Sequence, residues 1–135
     1  MSLLLTPTSV AELVDAVRSV PRLIAVGAGT KPRLSAVPGG ARLSPAGLRG
    51  ITEYDATEFT FTALAGTPVR EIAAALAEQG QYLPFDPMLT GAGATLGGTV
   101  AAGLNGPGRF RFGGIRDFIL GVRFVDGTGR LLRLG

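Results

Sequence analysis

Between Gly91 and Gly114, nine of 24 residues are glycine, within a run that continues to Asp117 as GAGATLGGTVAAGLNGPGRFRFGGIRD. Small hydroxyl residues, one amide and arginines interrupt the glycines, so the stretch is not a flexible spacer. Missing Cβ atoms make long regular structure entropically costly here and let another group lie against the peptide itself. One short helix fits inside the run. Thr95 stands at its N-cap, Leu96 to Ala102 form its body, and Gly103 is its C-terminal stop. The reading predicts an exposed N-terminus whose free amides and dipole attract anions, phosphates above all.

A second cradle lies far upstream. Val26-Gly-Ala-Gly-Thr-Lys31 follows an apolar stretch, Arg22 to Val26, that reads as a strand. It again offers small residues, a hydroxyl and a cation, and two such loops suggest one elongated ligand held at two points. Gly27-Ala-Gly29 matches half of a dinucleotide fingerprint, but Pro32 stands where the third glycine belongs and opposes a continuing helix. The P-loop pattern is absent as well.

With 135 residues the chain is read as one domain, and a mean hydropathy of +0.35 argues for a folded core. There is no Cys and no His, which excludes thiolate catalysis, iron–sulfur ligation, triad chemistry and the usual zinc sites. No catalytic residue and no metal ligand is therefore assigned, and any reaction chemistry is expected to belong to a bound cofactor. No apolar run is long enough to cross a bilayer and no signal peptide is recognised, so a cytoplasmic protein without membrane insertion is expected.

Charge is uneven. Residues 1–108 carry seven basic and eight acidic side chains, whereas residues 109–135 carry six arginines against Asp117 and Asp126. The basic end suits an anionic ligand or an acidic partner surface. Nucleic acid is not expected, since there is no basic helix, lysine-rich tract or aromatic stacking platform.

Along the chain, Ser9-Val-Ala-Glu12 predicts a capping box and a helix from Ser9 to Ser19, ended by Pro21. Residues 33–50 read as loop with a short strand near Ala41 to Ser44. Ile51 to Glu53 and Glu58 to Ala65 read as strands, the second with Phe59, Phe61 and Ala63 on one face. Thr67-Pro68 predicts an N-cap and first helical residue, followed by a buried stripe of Val69, Ile72, Ala73, Leu76 and Ala77 and a stop at Gly80. Tyr82 to Met88 is predicted stiff and extended, and Arg109 to Phe112 reads equally as a strand with a solvated basic face and as a segment whose Arg109 and Arg111, with Arg116, serve a cofactor or partner. Phe118 to Val125, a turn at Asp126 to Gly129, and Arg130 to Leu134 predict a hairpin. Its open edge exposes backbone groups, so further strands, a partner or self-pairing into a homo-oligomer are expected to cover it.

In this order, Gly27-Ala-Gly-Thr-Lys31, Gly66-Thr-Pro68, Gln81-Tyr-Leu-Pro-Phe-Asp-Pro87, Ala94-Thr-Leu-Gly-Gly-Thr-Val-Ala-Ala102 and Gly114-Ile-Arg-Asp117 resemble the FAD-binding domain of the vanillyl-alcohol oxidase (PCMH) type. Within it, the chain is most similar to small FAD-binding subunits of bacterial glycolate oxidases. The resemblance implies an α+β fold of two subdomains, here about 1–50 and 51–135, truncated before its final strands. It implies that Gly27, Ala28, Gly29, Thr30 and Lys31 form one pyrophosphate loop, and Thr95, Gly97, Gly98 and Thr99 the other. Pro84 and Asp86 would lie near the adenosine or ribityl portion, and Arg116 and Asp117 would close the site. Relatives that attach flavin covalently do so through a His in the first loop; Thr30 stands there, so FAD is expected to be noncovalent.

The function this implies is the FAD-binding subunit of a multi-subunit glycolate (2-hydroxy-acid) oxidase, an FAD-linked oxidoreductase subunit inactive as an isolated piece. Its partners would be a second flavoprotein subunit and an iron–sulfur subunit, through which it would sit peripherally at the inner membrane. The alternatives are an FAD-linked dehydrogenase of another substrate and a noncatalytic assembly subunit with a degenerate flavin fold. Asp86 and Asp117 read equally as ligand-orienting and as turn-capping carboxylates.

Overall fold

The structure is a computed structural model describing residues 2–135. Three short strands, β1 (Leu4–Leu5), β2 (Leu23–Ala25) and β3 (Ala41–Leu43), form a parallel sheet in the order β1-β3-β2. Parallel neighbours need a crossover, and helix α1 (Val10–Ser19) lies on the path between β1 and β2. Ser9 caps α1 as expected, its hydroxyl accepting the Glu12 N–H at 3.1 Å. The Glu12 carboxylate reaches one residue further back than a capping box requires, to the N–H (2.7 Å) and hydroxyl (2.8 Å) of Thr8. Val26 adds a rung beyond β2 by donating to the Leu43 carbonyl at 2.8 Å, so the first glycine loop leaves directly from the sheet.

Strands β4 (Ile51–Asp55) and β5 (Thr60–Ala63) pair as an antiparallel hairpin. Phe59 is not part of β5: it occupies the turn with φ 55° and is 79% exposed. Helix α2 (Val69–Ala77) buries Val69, Ile72 and Leu76, while Ala73 is half-buried and Ala77 exposed. Thr67 is not its N-cap, because no side chain caps this helix. The Thr67 hydroxyl is buried, accepts from Gly50 N–H (2.9 Å) and donates to the Leu64 carbonyl (2.7 Å), tying the approach to α2 to the approach to β4. At the other end, Tyr54 donates to Gln81 Oε1 (2.6 Å) and Gln81 Nε2 donates to the Ala56 carbonyl (2.7 Å), clasping hairpin to helix.

The segment expected to be extended, Tyr82 to Met88, turns at Pro84 and Phe85 and passes through Asp86 at φ 53°. Burial of the Phe85 ring requires that bend. Helix α3 (Leu96–Ala102) follows, and Gly103 ends it in the left-handed conformation at φ 62°. Arg109–Phe112 form a helical turn, α4, instead of a strand. Phe112 N–H donates to the Gly108 carbonyl (3.0 Å) and the Arg109 guanidinium folds back onto the Gly106 carbonyl (3.0 Å). Four alternating residues after Pro-Gly are too few to impose a ladder.

A 3₁₀ turn, Ile115–Asp117, leads to the antiparallel hairpin β6 (Val122–Val125) and β7 (Leu131–Leu134). The β6 strand begins later than expected, because Phe118 to Leu120 lie outside the ladder. Asp126 organises the turn, its Oδ1 accepting from the Thr128 N–H and hydroxyl and from Arg130 N–H. The hairpin lies beside α1, with buried Gly129 against the Arg18 side chain.

Candidate functional site: two converging glycine loops

The two glycine segments meet. A Cβ at Gly27 would collide with the Thr95 hydroxyl and lie 3.5 Å from Thr95 Cβ, so the first loop closes on the second through a position only glycine can fill. A Cβ at Gly93 would sit 3.9 Å from Ala28 Cβ, extending the same junction. Gly27, Ala28 and Gly29 remain solvent-exposed despite this contact. Gly27 also borders an open cleft of about 390 Å³ lined by Leu4, Val26, Arg42 and Ser44, near the C-terminal ends of the parallel strands.

The first loop is a row of unused donors. Among the described residues, none of the backbone N–H groups of Gly27, Ala28, Gly29, Thr30 and Lys31 donates to another atom of the chain. Backbone amides without a partner in the chain are available to an anionic ligand. The Lys31 ammonium donates to the Thr30 hydroxyl at 3.2 Å, holding a positive charge on the same loop.

The second segment differs from the expectation of free amides at the start of α3. Leu96 N–H donates to the Thr67 carbonyl (2.8 Å), Gly97 N–H to the Ala65 carbonyl (2.8 Å) and Gly98 N–H to the Thr95 hydroxyl (3.3 Å). Thr99 is buried, and its N–H and hydroxyl both donate to the Thr95 carbonyl. The first turn of α3 is thus sewn to residues 65–67, and a Cβ at Gly97 would press on Ala65 at 2.8 Å. Of these four residues, Thr95 is the one that meets the first loop, while Gly97, Gly98 and Thr99 are engaged with residues 65 and 95.

Of the remaining predicted residues, Pro84 and Asp86 precede the glycine run and Arg116 and Asp117 end it. Asp86 accepts the Gly108 N–H (3.0 Å) on its carboxylate and the Gly106 N–H (2.8 Å) on its carbonyl. Asp117 accepts the Gly114 N–H at 2.9 Å and so caps the 3₁₀ turn. Pro84 is half-buried in the turn before Phe85, and Arg116 is exposed. Asn105 escaped the sequence reading. Its Oδ1 accepts Ile115 N–H (3.2 Å) and its Nδ2 donates to the Gly103 carbonyl (3.2 Å), joining the end of α3 to the 3₁₀ turn. Its signal was the single amide side chain among the glycines.

Residues 1–135 match the family described as an FAD binding domain. The chain belongs to the FAD-binding domain family of the vanillyl-alcohol oxidase (PCMH) type. It is 52% identical over 87 residues to glycolate oxidase subunit GlcE of Escherichia coli K12, covering 64% of this chain and 25% of that protein. It is 33% identical over 82 residues to a D-2-hydroxyglutarate dehydrogenase of Xanthomonas citri, covering 61% of this chain and 17% of that one. Among solved structures, Phl p 4.0202, a glucose dehydrogenase, superposes with a TM-score of 0.80 at 21% identity, over 97% of this chain and 28% of that one, which shows the shared fold. Alkyldihydroxyacetonephosphate synthase also gives a TM-score of 0.80, at 25% identity over 98% of this chain and 28% of that one. The chain therefore spans about a quarter or less of the length of the curated relatives it matches.

FAD is the cofactor of this family, and the residues present fit it: the contact of Gly27 with Thr95 holds a solvent-accessible loop of amides without partners in the chain, and Lys31 lies on the same loop. The described residues hold no cluster of His, Cys, Asp and Glu suited to a metal ion, and no helix among them is long and apolar enough to cross a membrane.

Proposed function

We propose that this chain is the flavin-holding part of a subunit of a multi-subunit glycolate (2-hydroxy-acid) oxidase, and that it binds FAD noncovalently. FAD, when bound, supplies the two-electron acceptor for oxidation of the hydroxy acid. The chain's own part is to fix the dinucleotide. The amides of residues 27–31 receive the diphosphate, and Thr95, braced by Gly98 and Thr99 within the first turn of α3 and by Gly97 against Ala65, positions that loop. Asp86 and Asp117 act by holding the backbone of residues 106–114, with Pro84 and Arg116 at the edges of the site.

The observation that carries this reading is the row of five amides without partners in the chain, on a loop anchored by the contact of Gly27 with Thr95. Solvent-accessible amides without a partner in the chain are available to phosphate oxygens. The 52% identity to glycolate oxidase subunit GlcE supports the substrate class and the existence of partner subunits; in this reading they are a second flavoprotein subunit and an iron–sulfur subunit.

A second reading, a single-chain FAD-linked dehydrogenase of another 2-hydroxy acid, is favoured by the 33% and 30% identities to D-2-hydroxyglutarate and D-lactate dehydrogenases. The decisive experiment is to add FAD to the purified protein, desalt, and record absorbance between about 350 and 500 nm. A retained flavin spectrum that is released on denaturation supports noncovalent FAD binding; a colourless protein contradicts it. Reduction of the flavin by glycolate in the full-length protein with and without its co-purifying subunits, compared with D-lactate and D-2-hydroxyglutarate, then separates the two readings.

A further inference from the structure

We infer that Arg70 is an additional anion-binding residue that contacts the diphosphate at the junction of the two glycine segments. The inference rests on the reading of residues 27–31 as a diphosphate cradle. Arg70 sits in the first turn of α2, exposed, and its Nη1 lies 4.0 Å from the place a Gly93 Cβ would occupy. Ala28 Cβ lies 3.9 Å from that same place. The guanidinium therefore hangs over the junction of the two glycine segments, and the absent side chain at Gly93 leaves it room.

Among the described residues Arg70 has neither an ion pair nor a hydrogen bond. Its neighbour Glu71 is committed to Arg49. The loops beside it, 26–32 and 88–99, contain no acidic residue, and Asp86 is occupied by Gly108. A guanidinium with several free donors, next to idle backbone amides and a lysine, is arranged to receive phosphate oxygens by paired hydrogen bonds. Nothing in the sequence singles Arg70 out, because it reads as the solvated position of an amphipathic helix.

The test is equilibrium FAD binding, followed by flavin fluorescence at several salt concentrations, for wild type, Arg70→Gln, Arg70→Lys and Arg133→Gln. Arg133 lies on β7 and controls for loss of one positive charge. Arg70→Gln should raise the Kd about tenfold or more and flatten its salt dependence, with Arg70→Lys intermediate and Arg133→Gln unchanged. The unfolding midpoint without FAD should stay at the wild-type value. Wild-type affinity in Arg70→Gln, or an equal loss in Arg133→Gln, overturns the inference. Failure of the wild type itself to take up FAD would instead remove the cradle reading, and the inference with it.

Discussion

Gly27 meets Thr95 with no space for a Cβ between them, and through this one contact two loops from distant parts of the chain share a wall. The hydroxyl that forbids a side chain at Gly27 is the same one that accepts the Gly98 N–H and caps α3. Gly27→Ala should cost about 1–3 kcal/mol by overpacking, and Thr95→Ala about 1 kcal/mol through loss of the cap. Because the Thr95 change also removes the obstructing atom, the double variant should lose less than the two single changes together. Urea denaturation of the four proteins measures that coupling.

Thr67 predicts a second stability effect. Its buried hydroxyl serves Gly50 N–H and the Leu64 carbonyl, so Thr67→Val keeps the shape but strands both partners. A loss of about 1–3 kcal/mol is expected. Ile72→Ala, at a fully buried site on the same helix approach, should cost about 2–5 kcal/mol by opening a cavity. Denaturant midpoints at constant m-value check both.

How much of this was readable beforehand follows from the range of each interaction. The caps of α1 and α3, the stop at Gly103 and the Asp126 turn depend on residues within four positions of one another, and local spacing exposed them. β1 has two residues and pairs in parallel with a strand far downstream, so no local pattern marks it. Thr67-Pro68 carries an N-cap signature, yet the hydroxyl is taken by Gly50, a tertiary partner invisible to spacing. The same limit applies to the start of α3: Thr95 was found, but not that residues 65 and 67 consume the amides behind it. In the site, the glycine loops were legible from composition, whereas the contribution of Asn105 and the position of Arg70 required the folded chain.

Asp86 should matter through backbone placement. Asp86→Ala removes the acceptor for Gly108 N–H and adds a poor residue for φ 53°, whereas Asp86→Asn keeps an acceptor and tolerates that conformation. Hydrogen exchange at residues 106–114 should rise in the alanine variant and stay near wild type in the asparagine variant.

Two exposed carboxylates set an acid limit. The Thr128 hydroxyl, then Arg130 N–H, hold Asp126 well below its ordinary 3.8, and Thr8, through its N–H and then its hydroxyl, holds Glu12 below its ordinary 4.5. A depressed folded pKa stabilises above the unfolded value, and that contribution is lost as pH falls through the folded value. Unfolding midpoints should therefore be level near neutrality and decline below about pH 4. Asp126→Asn should lower the neutral plateau and make the acid decline shallower.

The central claim, that the amides of residues 27–31 hold the diphosphate of FAD, is tested most directly by amide NMR of the protein with and without FAD. The account predicts that the resonances of Gly27, Ala28, Gly29, Thr30 and Lys31 shift on binding and become protected from solvent exchange, and that riboflavin, which lacks the diphosphate, fails to produce this change. Flavin bound with those five amides unmoved and still exchanging freely would contradict it.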